Sequence, residues 1–238
     1  MKLLALETST DACSIALECD GEVLLDHRMA PQEHAQILLP MIDAMFANAG
    51  IKASDLDGVA FGCGPGSFTG VRIAAATTQG IAFGVDVGVI PVSSLQALAQ
   101  GAFREHNASH VLATFDARMS EVYWGAYALG DDGIVCALQV DCVCPPDKVV
   151  MPVDESAAEW CLLGSGADQY ADILTAAVGE HVQLRKVADC WPNAQDVLRV
   201  ALPVASAGGF LSAAEASPVY LRDRVALTEK QRADGERL

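Results

Sequence analysis

At 238 residues, with 52% hydrophobic side chains, the chain has ample material for a buried core and enough length for two domains of roughly 100 residues each. Fifteen basic against 31 acidic residues give a formal net charge of −16, which repels a phosphate backbone and argues against a stand-alone nucleic-acid-binding module. No uncharged apolar run approaches the roughly 18–20 residues of a membrane span, and Leu3-Leu4-Ala5-Leu6-Glu7 reads as a strand rather than a signal peptide, so a soluble chain in the cytoplasm is expected.

Three short strands are expected at 3–7, 14–19 and 23–27, with Asp20-Gly21 at the tip of the hairpin joining the last two. From 36 to 49, Leu38, Met41, Ile42, Met45 and Ala49 recur on one helical face, Gly50 supplies a stop, and Pro40 marks a kink or a first turn. A fourth strand at 58–61 runs into Gly62-Cys63-Gly64-Pro65-Gly66-Ser67-Phe68-Thr69-Gly70, and a helix of small residues follows over 71–83. Two readings stand for this loop. One is a cradle of backbone N–H groups for phosphate at a helix N-terminus. The other is a structural corner that lets a small-residue helix pack closely, with Ser67 or Thr69 as its cap. The loop lacks the lysine of a Walker ending and is not Gly-x-Ser-x-Gly, so it is neither a P-loop nor a nucleophile elbow. A strand at 88–92 and a helix to 104, capped by Ser93 or Ser94, complete this half.

The second half reads in the same order. Strands are expected at 111–116, 121–128, 134–141, 161–163 and 182–187, and helices at 168–178 and 193–211, the last interrupted by Pro203 and Gly208-Gly209. Each first strand ends in a carboxylate, Glu7 or Asp116, and each fourth strand enters a glycine turn. The expected fold is α/β: two tandem actin/hexokinase/Hsp70-like (ribonuclease H-like) lobes, each β-β-β-α-β-α-β-α, over 1–102 and 103–238, with the last helix and tail packing back on the first lobe. At fold level this puts Glu7-Thr8-Ser9 and Asp116-Ala117-Arg118 at the two phosphate turns of a nucleotide cleft, and Gly164-Ser165-Gly166 at its adenosine turn. All three turns are short, so Glu7, Thr8, Ser9, Asp116, Arg118, Gly164 and Gly166 form a candidate vestigial nucleotide site. Glu7 and Asp116 have two readings, magnesium ligands at a cleft or caps of strand ends. Arg118 is read as the partner of a nearby carboxylate.

The eight cysteines form no Cys-x-x-Cys, and Cys142-Val143-Cys144 lacks a second pair to complete a zinc site, so they read as reduced, mostly buried small hydrophobes. His106 and His110 have the spacing of a helical metal pair, but with no Glu beside the first they read as solvated loop histidines. His34 opens the first long helix, where a capping or interface role is expected. The only basic cluster is the tail around Arg222, Arg224, Lys230 and Arg232.

Five stretches stand in order: Leu4-Ala5-Leu6-Glu7-Thr8-Ser9-Thr10; Gly64-Pro65-Gly66-Ser67-Phe68-Thr69-Gly70-Val71-Arg72; Pro91-Val92-Ser93-Ser94-Leu95; Asp116-Ala117-Arg118 with Glu121-Val122-Tyr123; and Pro218-Val219-Tyr220-Leu221-Arg222. Together they resemble the bacterial tRNA threonylcarbamoyladenosine biosynthesis family TsaB, also called YeaZ, over nearly the whole chain. The resemblance implies a non-catalytic partner of a larger TsaD-like subunit that transfers threonylcarbamoyl onto adenosine 37 of tRNAs reading codons that begin with A. A TsaE-like ATPase is implied as a further partner, and ATP, magnesium and tRNA are expected only through the assembled complex. TsaD-like subunits carry a His-x-x-x-His metal pair just after the strand at 88–92. The resemblance puts Ser94 and Leu98 there, so no metal centre and no catalytic residue is expected. The alternative is an ATP-binding transferase or kinase of the same fold.

Finally, a helix apolar nearly all round is usually covered nearly all round. Gly70, Ala74, Thr77 and Ile81 form one stripe of the small-residue helix and Thr78 lies on the next. Met41, Met45 and Phe46 on the preceding helix are too many to expect all to face inward. The expected partner surface is therefore Met41, Met45, Gly70, Ala74, Thr77, Thr78 and Ile81, used with the TsaD-like subunit or, alone, in a homodimer.

Overall fold

The computed structural model describes residues 1–152, 159–179 and 182–222; Arg224, Lys230 and Arg232 of the basic tail lie outside the described residues. The first sheet contains β1 (Lys2–Glu7), β2 (Ala12–Cys19), β3 (Glu22–Met29), β4 (Gly58–Gly64) and β5 (Gly88–Ser93), in the order β3-β2-β1-β4-β5. Tight turns keep β1 to β3 antiparallel. Helices α1 (His34–Ala49) and α2 (Phe68–Val85) carry the chain back, so β4 and β5 run parallel to β1. Helix α3 (Ser94–His106) leads to the second sheet, built from β6 (His110–Arg118), β7 (Glu121–Leu129), β8 (Val135–Ala137), β10 (Trp160–Leu163) and β11 (Leu184–Val187). Its order is β11-β10-β6-β7-β8, and β9 (Cys142–Cys144) also pairs with β7. Helix α4 (Ser165–Val178) joins β10 to β11, and α5 (Ala194–Ser206) follows. The α/β class and the two lobes agree with the expectation.

Three elements differ in detail. The strand expected over 134–141 is broken into β8 and β9. Between them Asp141 turns inward, where Ser93 donates to its Oδ2 at 2.6 Å and Tyr127 donates to its Oδ1 at 2.5 Å, and this demand overrides a continuous ladder. Where the first lobe has α1, the second has among the described residues only a 3₁₀ turn, Pro146–Lys148. Helix α5 stops at Ser206; Gly208 takes a positive φ of 74°, and Leu211 then pairs with Val89 at the edge of the first sheet.

The two halves exchange a helix. One face of the first sheet, including Leu4, Leu6, Ile15 and Leu17, is covered by α1 and α2. Its other face, including Leu3, Ala5, Ala16 and Ile90, is covered by Val197, Leu198, Ala201 and Ala205 of α5, from the second half of the chain. Conversely Leu95, Leu98, Ala99 and Ala102 of α3 pack on Val111, Ala113 and Phe115 of the second sheet. Sheets buried on both faces explain the near-continuous apolar runs of β1 and β4. Helix α3 thus runs across residues 102 and 103 and joins the second sheet by packing. Arg104 of α3 holds the buried Asp196 of α5 with two hydrogen bonds of 2.9 and 2.7 Å, tying the exchanged helices together.

Candidate functional site

The glycine loop is a corner, and three of its glycines mark close approaches to the end of β1 and the turn after it. A Cβ on Gly70 would lie 1.9 Å from the Thr8 carbonyl oxygen, and one on Gly66 2.6 Å from both Cβ and the carbonyl oxygen of Ser9. At Gly62 it would meet Glu7 Oε2 at 2.0 Å. The loop's own groups complete the contact. The Ser67 N–H donates to the Ser9 carbonyl at 2.7 Å, Thr8 Oγ1 donates to the Gly70 carbonyl at 2.8 Å, and Ser67 Oγ caps α2 by accepting from the Gly70 N–H. These loop donors bind protein, which favours the structural reading over a phosphate cradle. The second lobe repeats the device: a Cβ on Gly164 would meet the Thr114 carbonyl oxygen at 2.1 Å, and one on Gly166 the Thr114 side chain at 2.9 Å.

The two candidate carboxylates have different fates. Glu7 is fully buried; its Oε1 accepts from the Ser9 N–H at 2.6 Å and its Oε2 from Ser94 Oγ at 2.8 Å. Burial pushes its carboxyl above the ordinary range, and the Ser9 and Ser94 hydrogen bonds only partly offset this. Such a group caps its own turn and is turned away from the cleft. Asp116 lies at the cleft, where it accepts from the Arg118 N–H at 2.9 Å and pairs with the Arg118 guanidinium at 3.1 Å, the carboxylate partner expected for that arginine.

Between the lobes lies a cavity of about 550 Å³ whose walls include Ser9, Gly66, Asp116, Arg118, Ser165 and Arg222. Of the candidate nucleotide residues, Ser9, Asp116 and Arg118 therefore meet at one cleft. Glu7 and Thr8 are buried behind its wall, and Gly164 and Gly166 are pressed on β6 beneath it. The Ser9 hydroxyl is buried without a hydrogen-bond partner among the described residues. Arg222 and Tyr123 complete the cleft from motifs visible in the sequence, whereas Phe115 and Trp191 carry no local signal. Arg222 ion-pairs with Glu121 and bonds the Arg118 carbonyl, bracing the β6–β7 turn, where Arg118, Met119 and Ser120 all have positive φ.

The residues of the expected partner surface divide by burial. Met41, Met45 and Phe46 all face inward, at 1, 5 and 8% exposure, and Gly70, Ala74 and Thr78 are also buried in the lobe's own core. Only Thr77 and Ile81 are half-exposed. The reason is geometric: α1 and α2 lie side by side on one sheet face, so each is covered from two directions. Towards its C-terminal end α2 leaves Ala76, Gln79, Gly80, Phe83 and Gly84 outside, and at its start Phe68 and Thr69. His106 ends α3 and His110 opens β6, so they share no helix, and both are half-buried rather than solvated. His34 Nε2 donates to the Ala12 carbonyl at 3.1 Å, anchoring the start of α1 on β2.

Comparison with known proteins decides the family. A family model described as TsaD, tRNA N6-adenosine threonylcarbamoyltransferase, matches residues 28–230. The Escherichia coli protein described as tRNA threonylcarbamoyladenosine biosynthesis protein TsaB is 38% identical over 95% of this chain and 96% of its own. The chain belongs to the TsaB (YeaZ) family. The Haemophilus influenzae TsaB is also 38% identical, over 94% of this chain and 95% of its own. The solved structure of YeaZ from Pseudomonas aeruginosa superposes with a TM-score of 0.85 at 42% identity, covering 92% of this chain and 99% of that one. Here Ser94 binds the Glu7 carboxylate and Leu98 is core.

Proposed function

We propose that this chain is the non-catalytic partner subunit of the complex that installs N6-threonylcarbamoyl on adenosine 37 of tRNAs reading codons that begin with A, and that it works by pairing with a TsaD-like catalytic subunit. The observation that carries this reading is the outer face of α2. Phe83 is 79% exposed, with Ala76, Gly80 and Gly84 bare around it. The one polar side chain there, Gln79, is turned to the Ala213 carbonyl of its own chain. Small residues on an outward helix face let a second helix approach closely, which suits helix-on-helix docking. Leu39 of the neighbouring α1 adds exposed apolar surface. Ser94 and Leu98, at the places of the catalytic subunit's histidines, support the absence of intrinsic transfer chemistry.

In this reading the same face joins two copies of the chain when the catalytic subunit is absent. A TsaE-like ATPase adds to the pair in the cytoplasm. ATP with magnesium, and tRNA, act through the assembly. The burial of Glu7 argues against the alternative, a transferase or kinase with its own nucleotide site.

Co-expression with the TsaD-like subunit tests the proposal. Light scattering is expected to show a stable complex that Phe83→Asp removes while the monomer keeps its melting temperature, and depletion of the chain is expected to lower the modified nucleoside in tRNA by mass spectrometry. Wild-type pairing by Phe83→Asp, or threonylcarbamoyl transfer by the chain alone, would overturn it.

A further inference from the structure

A second feature lies at the other end of α2 from Phe83, about 17 Å away at Arg72 and about 22 Å at Phe68, at 1.5 Å per residue. Arg72, in the helix's early turns, lays its guanidinium 3.1 Å over the Phe68 ring, and its centre is 5.1 Å from the ring of Tyr220. Both rings are open to solvent, at 63 and 53% exposure. Among the described residues the one hydrogen bond of Arg72 is to the carbonyl of Phe68, at 3.2 Å, and no carboxylate pairs with it. Of the seven arginines among the described residues, Arg28, Arg104, Arg118, Arg185 and Arg222 each hold an acidic side chain, while Arg72 and Arg199 bond only backbone carbonyls, and of these two Arg72 is the one laid on aromatic rings. The contact with Phe68 is an i,i+4 pair that supports the first turns of α2, and it leaves the guanidinium without a counter-charge.

Beside this arginine opens a cavity of about 400 Å³ with mainly apolar walls, including Pro65, Val71, Val219 and Leu221. The tail segment that forms one wall is held in place: the Val219 N–H donates to the Cys63 carbonyl at 2.8 Å, and Arg222 is fixed on Glu121. The pocket therefore has a rigid apolar floor, two exposed aromatic rims and one uncompensated cation. Aromatic and arginine side chains around a desolvated pocket are the usual makings of a protein–protein hot spot. A nucleic-acid strand fits less well, since Arg72 is the one uncompensated cation at the pocket and the summed field is negative.

We propose that this pocket is a docking site for an extended segment of a partner protein, in which a large aliphatic or aromatic side chain enters the cavity and an adjacent carboxylate pairs with Arg72. Charge complementarity selects the carboxylate, and the cavity walls select the apolar neighbour. The site is separate from the outer face of α2, so the two surfaces can be tested independently.

The probe is a labelled peptide, acetyl-Gly-Ser-Leu-Phe-Glu-Gly-Ser-amide, titrated into the full chain by fluorescence anisotropy and by ¹⁵N NMR. Binding is expected at a Kd of about 0.1–1 mM, with shifts clustered at Phe68, Arg72, Tyr123 and 219–222. Arg72→Gln, whose side chain is on the surface, is expected to weaken binding about tenfold or more with unchanged melting temperature. Replacing the peptide's Glu by Gln is expected to do the same, and Phe83→Asp to leave binding intact. The proposal is overturned if the Gln peptide or Arg72→Gln binds as well as its parent, if shifts map elsewhere, or if nothing binds at millimolar peptide. Equal displacement of the peptide by single-stranded oligouridine would also overturn it, by showing a general anion site. So would binding only after removal of residues 223–238, which would make the chain's own tail the occupant.

Discussion

The hydroxyl of Ser94 donates to Oε2 of Glu7 at 2.8 Å, joining the first residue of α3 to the last residue of β1 in the buried interior of the molecule. The pair stands where the two lobes meet, and it converts a cleft carboxylate into an internal strut.

Glu7 should therefore report on pH. Its folded-state pKa is raised, chiefly by burial, so the native state holds this proton more tightly than the unfolded chain does. The group favours folding most below the unfolded pKa, and that contribution is lost as pH rises through the folded one. Glu7→Gln keeps a carbonyl for the Ser9 N–H and an amide for Ser94. It is expected to melt at or above the wild-type temperature at pH 8, with less of an advantage at pH 5. Glu7→Ala leaves the Ser9 N–H unsatisfied and a cavity behind, and should cost about 2–4 kcal/mol in urea unfolding.

Glycines at the corner and on the helix should respond in opposite directions. Gly70→Ala drives a Cβ into the Thr8 carbonyl, a backbone atom that cannot swing away, and should destabilise by about 2 kcal/mol or more. Gly84→Ala meets nothing within 4 Å inside an exposed helix face and should stabilise by about 0.5–1 kcal/mol. Chemical denaturation of the two variants checks both signs.

Thiol reactivity should sort by burial. Desolvation pushes Cys63 up to about 12 and Cys13 and Cys190 up to about 11, while Cys136 is exposed. Iodoacetamide on the native chain at pH 8 should label Cys136 first and leave Cys13 and Cys63 unmodified until unfolding, as read by peptide mass spectrometry.

The isolated chain should bind tRNA weakly at physiological salt, because its net charge of −16 opposes the phosphate backbone. A gel shift without partners is expected to show no complex below micromolar protein. A sub-micromolar, salt-sensitive shift would mean that a local basic surface prevails over the net field.

Periodicity and turn chemistry were enough to read most strands and helices, the two-lobe plan and the capped corner at Ser67, because those signals act over a few neighbouring residues. Arg222 and Tyr123 stood in stretches that the sequence singled out, but their meeting at the cleft is a matter of the fold. Burial was a different matter. The sequence marks Met41, Met45 and Ala74 as apolar, but only the side-by-side seating of α1 and α2 on one sheet face turns them inward and leaves Phe83 outside. The exchange of α3 and α5 between halves, the strut from Ser94 to Glu7 and the break between β8 and β9 at Asp141 likewise depend on partners far apart in the chain. Local sequence sets what each segment prefers to be. Which face it hides is decided by what packs against it, and that is a property of the assembled fold alone.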